Sequence, residues 1–133
     1  MEQKYFSQIT FLYYNDLEEG VAFYKDILGF PLIEDQGFAK IFQVSEHAFL
    51  GIVDGKKGYL RAQKKNAVMI TFCVNDVQAS YENLKLQGVK MLSQPEMDTE
   101  LQILSFFFED PGRYTLEIQR FFNPRLEAFF QSK

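Results

Sequence analysis

Residues able to do chemistry are few in this chain, and their types narrow what that chemistry is. There is one histidine, His47, and one cysteine, Cys73. A single thiol can neither close an internal disulfide nor build a cysteine-based zinc centre. Cys73 has no evident histidine partner and no helix N-terminus dedicated to lowering its pKa, so it reads as a small buried hydrophobe rather than a nucleophile. His47 follows the turn signal Ser45-Glu46, where a solvated histidine is the commoner outcome; it joins a site only if the following strand starts early enough to include it. No Ser-His-Asp set, phosphate-cradling glycine loop or dinucleotide fingerprint occurs. The most informative titratable group is Glu117, set between Leu116 and Ile118 in a strand-like stretch. A carboxylate among apolar neighbours must find a partner or take up a proton.

The elements that position these residues come from 133 residues, which at roughly 100–200 residues per domain predicts a single domain over 1–133. The chain has 15 Phe and 7 Tyr but no Trp, and 47% of its residues are apolar. That composition excludes intrinsic disorder and permits a real core. Against 14 Lys and Arg stand 18 Asp and Glu, a net charge of −4. A general nucleic-acid binder needs a basic field, so no nucleic-acid partner is expected. No apolar run approaches the ~20 residues needed to span a bilayer, and no membrane partner is expected. The start, Met1-Glu2-Gln3-Lys4-Tyr5, lacks the basic and apolar stretches of a signal peptide, so the expected location is cytoplasmic.

Two segments read as helices. Asp16-Leu17-Glu18-Glu19 has the D-x-x-E form of a capping box, and Leu17, Val21, Tyr24 and Leu28 behind it form one helical stripe. Gly29 suits a left-handed C′ residue, and Pro31 prevents continuation. The second helix begins at Asp76-Val77, runs through Tyr81 and Leu84, and stops at Gly88. Strands are expected at 6–14, 30–34, 38–44 and 48–53, and again at 67–74, 89–92, 102–109 and 114–120. Asp110-Pro111-Gly112-Arg113 joins the last two, with Pro then Gly suiting a type II turn. Residues 55–66 carry five cations (Lys56, Lys57, Arg61, Lys64, Lys65) and read as a loop or flap. That loop is either solvated or closes over a site to meet an anionic ligand. Asn123 as N-cap with Pro124 at N1 predicts a short C-terminal helix over 123–131, packed on the same chain or on a partner subunit.

The two halves repeat. Ile9-Thr10-Phe11-Leu12-Tyr13-Tyr14-Asn15-Asp16-Leu17 aligns with Met69-Ile70-Thr71-Phe72-Cys73-Val74-Asn75-Asp76-Val77 at an offset of 60, and Gly29 pairs with Gly88 after a one-residue deletion. Each half therefore reads βαβββ, over 6–54 and 67–120. A module of ~60 residues is marginal alone, so the two should share a core. The expected class is α+β: two tandem βαβββ modules whose eight strands form curled mixed sheets around a cup.

With the repeat in place, Phe23-Tyr24-Lys25-Asp26-Ile27-Leu28-Gly29-Phe30 resembles the F-Y-x-x-x-L-G-F signature of the vicinal oxygen chelate superfamily, which comprises glyoxalase I, bleomycin-resistance proteins and extradiol dioxygenases. The stretch from Phe108 to Glu117 is similar to its F-x-D-P-x-G-x-x-x-E close, with the glycine one position early. The resemblance covers about residues 6–120. It implies that metal-dependent members take ligands from pseudo-symmetric strand positions, which carried over are Ile9, Gly51, Met69 and Glu117. Only Glu117 offers a suitable donor, since a thioether is a poor ligand for the ions that imidazole and carboxylate suit. A catalytic metal needs about three protein ligands, so no metal and no other cofactor is expected.

Setting Glu117 and its counterparts inward, strand alternation turns Ile9, Phe11 and Tyr13, then His47, Phe49, Gly51 and Val53, toward the cup. From the second half it turns Met69, Thr71 and Cys73, then Thr115, Glu117 and Gln119. This mostly apolar surface with a few polar groups has the make-up of a small-molecule site, while the same residues would equally fill a closed core. Glu117 is a relic paired with Arg61, Arg113 or a tyrosine hydroxyl, an anchor for a cationic or hydrogen-bonding ligand, or a general base. The preferred reading is a metal-free protein of the bleomycin-resistance type, a homodimer by the family's habit, holding a small aromatic or amphipathic molecule. Its rivals are a family lyase, isomerase or dioxygenase with relocated ligands or Glu117 as base, and a scaffold whose cup is packed shut.

Overall fold

The computed structural model describes residues 4–132; Met1–Gln3 and Lys133 lie outside the described residues. The chain forms two compact units that divide between Lys64 and Lys65. None of its described helices is long and apolar enough to cross a membrane.

The first unit runs β1 (Gln8–Tyr14), α1 (Leu17–Ala22), β2 (Leu32–Asp35), β3 (Ala39–Ser45) and β4 (Ala48–Asp54). Its sheet has the order β1-β4-β3-β2, with β1 parallel to β4 and the other pairs antiparallel. Asp16 caps α1 as its position predicts, its carboxylate accepting from the Glu19 N–H at 3.1 Å. The expected helix to Leu28 does not stay α-helical. From Phe23 to Ile27 it widens into a π turn, with the Leu28 N–H donating to the Phe23 carbonyl. The extra residue that the repeat alignment finds in this helix, an offset of 60 at the cap and 59 at the glycine, is what the wide turn absorbs. Leu12, Tyr14, Phe42, Leu50 and Ile52 are buried, and Tyr24 joins them with its hydroxyl 3.2 Å from that of Tyr14.

The second unit runs β5 (Met69–Cys73), α2 (Val77–Leu86), β6 (Lys90–Met91), β7 (Glu96–Asp98), β8 (Ile103–Glu109), β9 (Thr115–Phe121) and α3 (Pro124–Phe130). Its sheet has the order β5-β9-β8-β6, and β7 also pairs with β8. The described strands thus number nine rather than the expected eight. The edge partner of β8 is split in two, with Pro95 between the pieces; proline supplies no ladder donor and is tolerated at an edge. Asp76 caps α2 through the Ala79 N–H at 3.0 Å. Phe72, Phe106, Phe108, Leu116 and Ile118 form the core, where Tyr81 of α2 meets Phe106 edge-on at 5.2 Å.

Gly29 and Gly88 end the two helices at φ +75° and +78°, the left-handed geometry expected of C′ residues. The β8–β9 connection corrects the expected type II turn. The Arg113 N–H donates to the Asp110 carbonyl at 3.0 Å, but the left-handed residue is Arg113 (φ +66°), not Gly112. This is a type I turn followed by a left-handed residue. Arg113 therefore takes the conformation for which the family pattern keeps a glycine.

Candidate functional site

In the first unit α1 packs against one face of the sheet, and alternation sends Ile9, Phe11, Tyr13, Phe49, Gly51 and Val53 to the other. The parallel register sets Ile9 beside Phe49, Phe11 beside Gly51 and Tyr13 beside Val53. Phe11, 42% exposed, lays its ring on Gly51. A Cβ at position 51 would stand 2.2 Å from Phe11 Cδ1, so only glycine admits that ring. Ile41, across from Gly51 on β3, adds to this mostly apolar surface, whose oxygen atoms come from Tyr13 and from Gln43 beside Phe49.

Two predicted members lie elsewhere. β4 begins at Ala48, so His47 stays in the turn, its side chain 71% exposed and its Nε2 3.5 Å from Glu46 Oε1. Arg61 uses its guanidinium on its own loop, donating to the carbonyls of Gly58 at 2.5 Å and Leu60 at 3.0 Å. That loop folds back on its own unit: a Cβ at Gly58 would stand 2.5 Å from Val53 Cγ1 and 3.0 Å from Tyr13 Cε1. A separate cleft of about 560 Å³ lies at Asn15–Glu18, Gly37–Phe38 and Asp54–Lys57. Lys56 and Lys57 line it together with Asp16, Glu18 and Asp54, and none of the predicted site residues does.

The second unit holds α2 on one face and sends Met69, Thr71, Cys73, Thr115, Glu117 and Gln119 to the other. The register sets Met69 beside Thr115, Thr71 beside Glu117 and Cys73 beside Gln119. Glu117 is buried, 8% exposed, and its Oε1 accepts from the Thr71 hydroxyl at 2.7 Å. The partner is its cross-strand neighbour, rather than the Arg61, Arg113 or tyrosine hydroxyl that one of its three readings names. Burial pushes the Cys73 thiol up; a hydrogen bond from Gln119 opposes this, and the Glu117 charge adds to it. That environment suits the inert thiol expected from the sequence.

Sequence reasoning missed the contribution of β8. Phe107 stands directly beside Glu117 and Ser105 beside Gln119, both half-buried. The signal was present in the alternation of Ile103, Ser105, Phe107 and Glu109 against Leu104, Phe106 and Phe108. α3 closes one end of this face, where Phe130 packs on Phe121 with ring centroids 4.9 Å apart. It is fastened by Gln131, which accepts from the Phe121 N–H and donates to the Val74 carbonyl.

The positions that the family resemblance marks for metal ligands do not fit a metal. In the first unit Ile9 and Gly51 carry no donor, and the Phe11 ring takes the space a side chain at 51 would need. In the second, Glu117 supplies one carboxylate near a thioether. Among the described residues, no three His, Cys, Asp or Glu side chains gather where they could hold an ion.

Comparison with known proteins adds three findings. The profile of the glyoxalase/bleomycin resistance protein/dioxygenase superfamily matches residues 6–118. An uncharacterised protein of Bacillus subtilis (strain 168), YraH, is 30% identical over 116 residues, covering 80% of this chain and 91% of its own. Among solved structures, a glyoxalase/bleomycin resistance protein/dioxygenase from Nocardioides superposes with a TM-score of 0.75 at 18% identity, over 93% of this chain and 87% of that one. A lactoylglutathione lyase from Agrobacterium tumefaciens gives 0.71 at 18% identity, over 91% and 95%. At these identities the likeness is one of fold.

Proposed function

The chain belongs to the glyoxalase/bleomycin resistance protein/dioxygenase superfamily, and from that premise we propose that it binds a small aromatic or amphipathic molecule without a metal. The observation that carries this reading is the ring of Phe11 lying on Gly51. Where the family pattern calls for a ligating side chain, this chain has a glycine that makes room for an aromatic surface. Ile9, Phe11 and Phe49 of the first unit supply apolar contact. In the second unit Met69 (49% exposed) and Phe107 flank the polar row of Thr71, Glu117 and Gln119. Mostly apolar surface with a few placed polar groups is the composition of small-molecule sites.

The reading extends to a cytoplasmic homodimer, supported by the family's usual dimerisation and by the exposed Tyr5 and Phe6. Light scattering behind size exclusion checks this against a monomer mass of 15.6 kDa.

A thermal-shift series with neutral, cationic and anionic two-ring aromatics tests the binding itself. At least one charge class should raise the melting temperature in a concentration-dependent way, and Phe11→Ala should weaken that rise. A chain indifferent to all three classes at millimolar concentration is not such a binder.

A further inference from the structure

The face of the second unit turned away from α2 carries a charge pattern that selects among ligands. Glu117 is buried, it has one hydrogen bond, from Thr71, and it makes no ion pair among the described residues. Register sets three further carboxylates on the same face. Glu109 lies beside Thr115, Glu96 beside Ser105 and Asp98 beside Ile103. The one cation in register with them, Lys90, is already held by Glu109 at 3.6 Å. A buried carboxylate without a countercharge is expensive, so a cation arriving there meets a site that gains from it. An anion meets the Glu117 carboxylate, with Glu96 farther along the same face and Asp98 held by the amides of Glu100 and Leu101. Beside Glu117 stands Phe107, and an aromatic face favours a cation further.

We propose that the ligand of this face is an organic cation, a protonated amine carried on an aromatic or aliphatic body, with its ammonium group held by the free oxygen of Glu117. Thr71 is the positioning residue: its hydroxyl donates to Oε1 at 2.7 Å and leaves the other oxygen for the ligand. The inference rests on the small-molecule reading above and names the class of molecule.

The test is an NMR titration of the full chain with three probes of one shape: 2-(2-naphthyl)ethylamine, 2-(2-naphthyl)ethanol and 2-naphthylacetate. The amine should bind about tenfold or more tighter than the alcohol, the size expected of a charge-assisted hydrogen bond, and the acetate should be weakest. The largest shifts should fall on the amides of Thr71, Phe107 and Glu117. In Glu117→Gln, which preserves the bond from Thr71, the amine should fall to the affinity of the alcohol while the alcohol is unchanged. Thr71→Val should lose part of the preference, and Glu46→Gln, in the β3–β4 turn of the first unit, none of it. If amine and alcohol bind alike in the wild type, or if Glu117→Gln keeps the preference, the cation assignment is wrong and the small-molecule reading survives. If none of the three binds, both fall.

Discussion

Gly51 and Glu117 hold the same place in the two repeats, beside the strands that carry Phe11 and Thr71. One position has lost its side chain to a ring, and the other has kept a carboxylate and found it a hydroxyl. Gly51→Ala must displace the Phe11 ring, and it should cost about 1–3 kcal/mol in urea denaturation. In a Phe11→Ala background the same change should cost well under half as much, since the ring is then gone. An equal cost in both backgrounds would show that the ring is not what excludes a side chain. Cys73 gives a second local readout. Burial, and after it the Glu117 charge, disfavours the thiolate, so alkylation by iodoacetamide should lag behind a free cysteine and rise at higher pH. Glu117→Gln removes one of the two raising influences and should move that pH profile downward; an unmoved profile would mean the charge does not reach the thiol. Alternation around Glu117 grouped the β1, β4, β5 and β9 residues of these faces, but it counted His47, which lies in a turn, and left out Phe107 and Ser105 of β8. The bond from Thr71 was not legible, because it depends on register between β5 and β9, which no spacing along the chain encodes.

The signals of the individual elements were of unequal clarity. Asp16 and Asp76 announce their helices, and each accepts from an amide three residues on. Asp16→Ala and Asp76→Ala should each cost about 1 kcal/mol in urea denaturation. Gly29 and Gly88 end those helices as their type demands. The π turn was visible only as an extra residue between two aligned landmarks, and periodicity by itself reads such a helix as continuous. β7 was invisible because Glu96-Met97-Asp98 contains no β-branched or aromatic residue; it is a strand only because β8 offers it an edge. The β8–β9 turn was misread because Pro-Gly suits more than one turn type, and here the left-handed residue falls on Arg113. Arg113→Gly, which restores the family's glycine, should raise stability by up to about 1 kcal/mol, measured as a higher urea midpoint at unchanged slope. A lower midpoint would mean that the arginine side chain contributes more than its backbone costs.

Across the whole molecule two groups of aromatic residues bear on the fold and on the candidate site. Tyr14, Tyr24, Phe42, Phe72, Phe106 and Phe108 are core residues, and they account for the folding of each repeat around its helix. Phe11 and Phe107 lie on the faces turned away from the helices, beside the two positions where the family pattern implies ligation. The fold was legible because the repeat and its two motifs constrain most elements together, β7 excepted. The faces turned away from the helices were legible only as lists of residues, since their chemistry arises from which side chains become neighbours across strands. The central claim is that these faces bind an organic molecule where metal-dependent relatives bind an ion. Its most direct test is to incubate the purified chain with Zn²⁺, Ni²⁺, Mn²⁺ or anaerobic Fe²⁺, desalt it, and measure metal by mass spectrometry in the wild type and in Glu117→Gln. The account predicts substoichiometric metal, equal in the two proteins. One equivalent retained by the wild type and lost in Glu117→Gln would contradict it.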